Sequence, residues 1–548
     1  MGFISGTRWP YGIIPYAIDS GFSSNAVNEI EQGLDEWRIK TCLTFVRRTS
    51  EANFIRFQFV PGPGAPTQGC ASSALGVQGG EQTITCGDPV YAGWLGVTHE
   101  VGHAIGLVHE HQRPDRDMYI TMAPTTNKDY VIDYSATPIG AYDCVSIMHY
   151  PNDKISAKPG GCPTWGSTTG LSAGDVATVR QWYGKELGVV GKAAAGAVSE
   201  VSTVTLTNTN RLVTPVRDGA GNLKVIVWDV DDAGAVKRRG DASEAAVNLV
   251  AASELSDHRL VTGVRDAGGN LKVIVWDVNK DGNVARKGDA TAGAISKIAI
   301  ETLSPTRVAT AVRDGGGNFK VIVWDVDSNG NVTRKGDGSA GAVGLIAVTD
   351  LFKGGAPLAG EHRLFSAVSD ADGNLKVIVW DVNKDGNVTR KGDASAGPVG
   401  AIAIGAAYGP TAAVTFVRTK SGQLKLIQWY VQDRVAGVTI VPGVDRTAYA
   451  VSEVAALNPY VSVARDEVGH LTLSLWQVTA GTSEGTGIIN PQGGCQGGEA
   501  TKIAITRLND APSPQPTVLG LARWATASRD GQGNLSILVW QREVSLIH

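Results

Sequence analysis

Nine histidines are spread along this 548-residue chain, and three of them fall in one short stretch, Thr98-His99-Glu100-Val101-Gly102-His103-Ala104-Ile105-Gly106-Leu107-Val108-His109. On a helix His99 and His103 are four residues apart, so both imidazoles leave one face about a turn from each other and reach the same ion. Gly106 follows three residues later, where a residue without Cβ lets the chain leave the helix and turn sharply. That turn returns His109 as a third ligand. Three neutral imidazoles suit a catalytic zinc ion, because at least one position stays open for water. Glu100, next to the first ligand, is placed to take a proton from that water and hand it to a leaving amine.

A second segment bears on the same chemistry. H-E-x-x-H followed by G-x-x-H is metzincin spacing, and metzincins set a methionine on a tight turn beneath the metal; Ser146-Ile147-Met148-His149-Tyr150 lies downstream here. HExxHxxGxxHExxRxDRD over His99 to Asp117, together with SxMHY, resembles the astacin family of zinc endopeptidases. Ile14-Pro15-Tyr16, Thr41-Cys42 and Leu171-Ser172 with Asp175 agree as well, so the resemblance covers about the first third of the chain.

The resemblance implies one zinc held by His99, His103 and His109, with Glu100 as general base. Tyr150 would approach the metal and hydrogen-bond the oxyanion. Met148 would shape the floor beneath the ligands and do no chemistry, and His111 and His149 would have no ligand role. The edge strand Cys70-Ala71-Ser72-Ser73 would align an extended peptide through backbone hydrogen bonds. Cys70 with Cys86 matches a family bridge. Cys42 matches a family cysteine whose partner lies at the domain's end, yet no cysteine follows Cys162 until Cys495. Cys144 with Cys162 is a candidate pair around the Met-turn, which leaves Cys42 free or reaching for Cys495; the spacing alone does not choose. Glu110 pairs in the family with the mature N-terminus. Met1 to Arg8 lacks the apolar core of a secretory signal and no masking segment precedes Trp9, so the expectation is an already unmasked form or one whose masking segment was left out. The family's pocket for the residue after the cut would lie in Pro151 to Gly166, where Lys154 and Lys158 are candidate partners for an acidic side chain.

Short elements must hold these residues. Residues 9 to 19 read as a strand, and Ser23 or Ser24 caps a helix with Val27, Ile30, Leu34 and Trp37 on one face. Leu43 to Arg47, Asn53 to Val60 and Gln82 to Cys86 read as strands, Ala92 to Leu107 as the metal-bearing helix, and Asp175 to Tyr183 as a closing helix. The net charge of −4, with 19% charged residues, gives no basic field for nucleic acid. No apolar run is long enough to span a bilayer. Five of the six cysteines precede residue 163, which points to disulfides and a secreted, extracellular protein.

From about residue 185 a phrase recurs. NLKVIVWDV starts at Asn222, Asn270 and Asn374, NFKVIVWDV at Asn318, and more distant copies at Gln423, His470 and Asn534. The marker tryptophans are Trp228, Trp276, Trp324, Trp380, Trp429, Trp476 and Trp540, which makes seven repeats. Each holds four strand-like runs, as in Ile295 to Ile300, Arg307 to Arg313, Asn318 to Val326 and Asn331 to Lys335. That is the pattern of a propeller blade, with a sandwich or solenoid as the runner-up. Gly191 to Val198 resembles the joint between repeats, so residues 186–207 are expected to close the ring. Asp277 to Gly282 and Asp381 to Gly386 look like calcium loops but have Gly288 and Gly392 at the twelfth position, so Ca²⁺ is not favoured over ordinary turns. Arg239-Gly240-Asp241 is the register of the repeat, not an integrin motif, and the tryptophans read as blade core before sugar platforms.

The expected architecture is an α+β metzincin catalytic domain over residues 1–185, followed by an all-β seven-bladed propeller over 186–548. The expected protein is a secreted, monomeric zinc endopeptidase acting on protein or peptide substrates, with a propeller that binds a glycan or protein target. The alternative is an adhesin or lectin-like protein with a vestigial metal domain; an intact Glu100 argues against it.

Overall fold

A computed structural model describes residues 2–61, 70–72, 74–88, 90, 93–150, 154–167, 169–183, 187–351, 361–406, 411–434, 437–458, 460–466, 469–479, 488–511 and 521–542. The chain forms two compact units, Met1–Gly188 with Gly493–Gln496, and Val189–Gln492 with Gly497–His548. The first therefore includes four residues from far along the sequence.

In the first unit β1 (Phe3–Ile4) pairs with β8 (Thr137–Pro138), and β7 (Ile120–Met122) with β9 (Ile155–Ala157). The main sheet contains β2 (Ile13–Ile18), β3 (Thr44–Arg47), β4 (Phe54–Phe59), β5 (Cys70–Ser72) and β6 (Glu81–Cys86), in the order β3-β2-β4-β6-β5. All pairings are parallel except that of β5, which runs antiparallel to β6 at one edge. Helix α1 (Ser24–Thr41) starts at Ser23, whose side chain accepts from Ala26 N–H, and ends at Cys42 in a left-handed conformation. Ile30, Leu34 and Trp37 bury its apolar face with Val97 and Val101 of α2 (Gly93–Ala104). Trp37 fixes the register of the two helices by donating its indole N–H to Thr98 O. Helix α3 (Ala173–Trp182) closes the unit through a capping box between Ser172 and Asp175.

Disulfides join Cys70 to Cys86, Cys144 to Cys162 and Cys42 to Cys495. Beside the last, the Gln496 amide reads the open edge of β3 like a peptide: Phe45 N–H donates to its Oε1, and its Nε2 donates to Phe45 O.

The second unit is all β. Among its described residues, twenty strands are hydrogen-bonded in one closed order from Leu187–Val201 to Asn534–Arg542, and Glu453–Asn458, Val461–Arg465, His470–Thr479 and Ile488–Glu499 form a separate four-stranded sheet. Where four separate runs per repeat were expected, the first and last belong to long continuous strands. Val284–Ser304 pairs through its first half with Asn270–Val278 and through its second half with Arg307–Asp314. Nothing in RKGDATAGAIS forces a turn, so the strand passes from one meander to the next. The glycine of each KGD or RGD is set by close approach: a Cβ on Gly288 would lie 2.4 Å from Gly330 O, and one on Gly240 2.5 Å from Gly282 O.

Both faces of the recurring strand are buried. Leu271, Val273 and Val275 pack on the next repeat's Ile322, Trp324 and Val326; Leu223, Val225 and Val227 pack on Ile274, Trp276 and Val278. Each marker tryptophan is at most 3% exposed and donates its indole N–H to a Thr or Ser fourteen residues earlier, from Trp228 on Thr214 to Trp540 on Thr526. None of the seven presents a face to a sugar. The calcium-like turns are also committed. Asp277 pairs with Arg259, whose guanidinium reaches the carbonyls of Asp327 and Ser328 in the following turn.

Candidate metal centre

Helix α2 buries Val97, Thr98 and Val101 on one side and turns His99, Glu100 and His103 to the other. It stops at Ala104, short of the expected Leu107, because Gly106 takes φ 105°. Gly106 N–H donates to His103 O and Leu107 N–H to Gly102 O, the pair of bonds of a Schellman end. The turn frees Leu107 O to accept from His103 Nδ1 at 2.8 Å. It also brings His109 back, with its Nε2 3.2 Å from that of His99 and 3.1 Å from that of His103.

The second nitrogen of each ring sets its tautomer. His99 Nδ1 donates to Ile147 O at 2.8 Å, and His109 Nδ1 to Gln112 Oε1 at 3.2 Å. With protons held on Nδ1, the three Nε2 atoms turn unprotonated lone pairs toward one another. Burial keeps the rings neutral: it pushes His103 down to about 3 and holds His99 and His109 below the usual imidazole range. Three converging lone pairs repel unless a cation lies between them, so the donor set fits zinc, and the second-layer carbonyls and amide are the usual means of orienting such ligands. His99, His103 and His109 form a zinc-binding triad.

The floor is built by the Met-turn. Gly102 lies over Met148 so closely that a Cβ there would stand 2.5 Å from its Sδ. Asp175 holds the turn from below, accepting Ser146 Oγ at 2.6 Å and Ile147 N–H at 2.9 Å, and so places the carbonyl that His99 uses. This role was missed in the sequence. Ser172-x-x-Asp175 announces a helix start, but nothing local says that the same carboxylate also reaches residues 146 and 147.

Around the triad, Glu100 is half-buried and its carboxyl is pushed up to about 7 by burial, against the lowering effect of Ser72 N–H. The Tyr150 ring lies 4.2 Å from that of His109 and 4.4 Å from that of His111, and burial raises its hydroxyl to about 12, so it stays a donor. His111 bonds Asp129 O and His149 bonds Tyr142; neither belongs to the triad. Glu110 is fully buried, accepts from Asp143 N–H at 2.8 Å and faces Arg113 at 3.4 Å; burial pushes its carboxyl up to about 8. Lys158 donates to Asp117 O. Cys70, Ala71 and Ser72 form the edge strand as described, while Ser73 lies outside the described residues.

Residues 4–184 match the family model for the Astacin peptidases. Tolloid-like protein 2 of Mus musculus is 34% identical over 195 residues, covering 32% of this chain and 19% of the relative. High choriolytic enzyme 1 of Oryzias latipes is 37% identical over 158 residues, covering 26% of this chain and 52% of the relative. A solved structure of the latter, a hatching enzyme zinc-protease, is 31% identical and covers 32% of this chain and 93% of that one, with a TM-score of 0.28. The chain spans about a fifth to a half of the length of these two curated relatives.

Proposed function

Since residues 4–184 are an astacin-family domain, we propose that this chain is a secreted zinc endopeptidase whose second unit serves as a binding or targeting module. The convergence of three unprotonated Nε2 atoms beside a half-buried carboxyl carries the reading. A zinc ion held by His99, His103 and His109 would supply Lewis acidity for the scissile carbonyl and lower the pKa of the attacking water. Glu100 takes the proton of that water and returns it to the leaving nitrogen. Tyr150 donates its hydroxyl hydrogen to the developing oxyanion. An extended peptide pairs with the outer edge of β5. The three disulfides support an oxidising, extracellular setting.

For the second unit the proposed architecture is a seven-bladed propeller. Closure is what supports it. Ile226, Trp228 and Val230 of the first repeat pack on Leu535, Ile537 and Val539 of the last, as the other repeats pack on their neighbours. Arg523 donates to Asp231 O at 2.6 Å, the counterpart of the Arg259 latch on its neighbouring turn. Val198 N–H donates to Gly533 O as Val247 N–H does to Gly221 O. A glycan or protein target must meet side chains other than the buried tryptophans.

The test is casein cleavage by the purified full chain, with zinc content measured. Wild type is expected to cut, a chelator to stop it, and Glu100→Gln to keep about one zinc while losing about a hundred- to ten-thousandfold in rate. A zinc-loaded wild type that cuts nothing would overturn the peptidase reading in favour of a binding protein.

A further inference from the structure

The edge strand offered to substrate has one backbone donor already committed. Ser72 N–H donates to Glu100 Oε2 at 2.6 Å, the short distance of a charge-assisted bond. The register explains why this donor is free of the sheet. Ala71 lies opposite Thr85 on β6, while Cys86 O on the same strand accepts Val60 N–H from the other side. Hydrogen-bonding direction alternates along an antiparallel pair, so Ala71 turns its N–H and C=O to β6, and Cys70 and Ser72 turn theirs outward into the cleft.

We propose that the Ser72 amide is a positioning group for the general base: it pins one oxygen of Glu100 and leaves Oε1 as the atom that moves the proton. This rests on reading Glu100 as the base. The donor sits on a stiff support. Cys70 is bridged to Cys86 at one end of β5. At the other, Ser72 Oγ donates to Ala74 O and accepts from Ala74 N–H, and Gly76 N–H then donates to His103 O on the metal-bearing helix. The strand that lines the cleft and the helix that carries the ligands are thus tied by a side chain and by the backbone. A rotamer search by Glu100, otherwise free to swing across a half-open site, is removed before substrate arrives.

A consequence for substrate pairing follows. Among the described residues, the outward groups Cys70 N–H, Cys70 C=O and Ser72 C=O of β5 remain for the peptide, and Ser72 N–H does not. A substrate's backbone bonds therefore gather at Cys70, and the base is held by the residue beyond.

Ser72→Pro deletes this donor, and because the N–H faces outward, no ladder bond to β6 is lost. Ser72→Ala keeps the donor and loses only the hydroxyl. In the zinc-loaded full chain, Ser72→Pro is expected to lower kcat on a peptide substrate by about ten- to a hundredfold, with KM within about threefold and zinc retained; Ser72→Ala, which keeps the N–H but loosens its hold on Ala74, is expected to lose a smaller factor, about two- to threefold. A Ser72→Pro enzyme with wild-type kcat overturns the proposal, as does an equal loss in Ser72→Ala. Amide hydrogen exchange decides the pairing without activity, so it stands even if the proline variant fails to fold or the wild type proves not to be a peptidase. In zinc-loaded Glu100→Ala the Ser72 amide must exchange faster than in wild type while the Ala71 amide does not. An unchanged Ser72 rate overturns the assignment.

Discussion

The two units treat buried polarity in opposite ways. In the first, carboxyl groups are taken out of water and matched once: burial raises Glu100, Glu110 and Asp175 above their usual range, and each is met by a few specific donors. In the repeats of the second unit, a half-exposed carboxylate recurs beside a lysine. The Lys224 ammonium beside Asp241 holds that carboxyl below its usual range, and the pair recurs as Lys272–Asp289, Lys320–Asp337 and Lys376–Asp393. One unit spends stability on a single site; the other repeats one modest contact. A lesion in the first should therefore spread to the metal, and one in the second should stay local.

The sharpest break is expected at Asp175. Asp175→Ala leaves Ser146 Oγ and the amides of Ile147 and Ser172 without their acceptor in a buried place, at a cost on the order of 3–5 kcal/mol. The carbonyl that orients His99 shifts with them, so zinc affinity should fall about ten- to a hundredfold. Zinc titration against a competing chelator and denaturant melts check both. Loss of stability with unchanged zinc affinity would separate the Met-turn from the triad.

Next is the Cys42–Cys495 bridge, which closes a loop with a sequence separation of 453. Cys42→Ser with Cys495→Ser should cost about 2–4 kcal/mol. If the return segment belongs to the first unit, faster hydrogen exchange should concentrate in β3 around Phe45, where Gln496 caps the edge. Exchange raised only in the repeats would contradict this.

A third effect depends on pH. Glu110 is raised to about 8 from an ordinary value of 4.5, chiefly by burial, so its contribution to stability is complete below the unfolded value and is lost as pH rises through about 8. Glu110→Gln keeps an acceptor for Asp143 N–H and cannot ionise. Its stability relative to wild type should climb between pH 5 and 8 by on the order of 3–4 kcal/mol, read from paired melts. A flat difference would show that Arg113 at 3.4 Å cancels the burial.

The smallest effect is expected in the repeats. Trp324→Phe removes the indole donor to Thr310 in one of seven equivalent places and should cost about 1–2 kcal/mol. Casein cleavage and zinc content should not move.

The spacing of His99, His103 and His109 is legible because helix periodicity and one glycine turn convert sequence distance directly into spatial distance. The seven tryptophans are legible for a related reason: repetition makes the same strand pattern visible many times over. By contrast, the four runs expected in each repeat miss the long strands, because extended backbone that leaves one sheet and enters the next carries no local signal of the change. Spacing leaves the cysteine pairing open for the same kind of reason, since a bond between residues 42 and 495 depends on where two distant segments come to rest.

What the sequence determined by itself is the chemistry on offer: three imidazoles and a carboxylate at helical spacing, a methionine turn downstream, and a strand pattern apolar on both faces. What the tertiary structure alone decided is how those groups are held. Ile147 O on His99, Asp175 beneath Met148, Gln496 on the edge of β3 and Ser72 N–H on Glu100 are contacts between segments far apart in the chain. Their donors are mostly backbone atoms, which every residue carries, so residue identity cannot announce them. Only folding brings a particular amide or carbonyl within about 3 Å of the one side chain it serves.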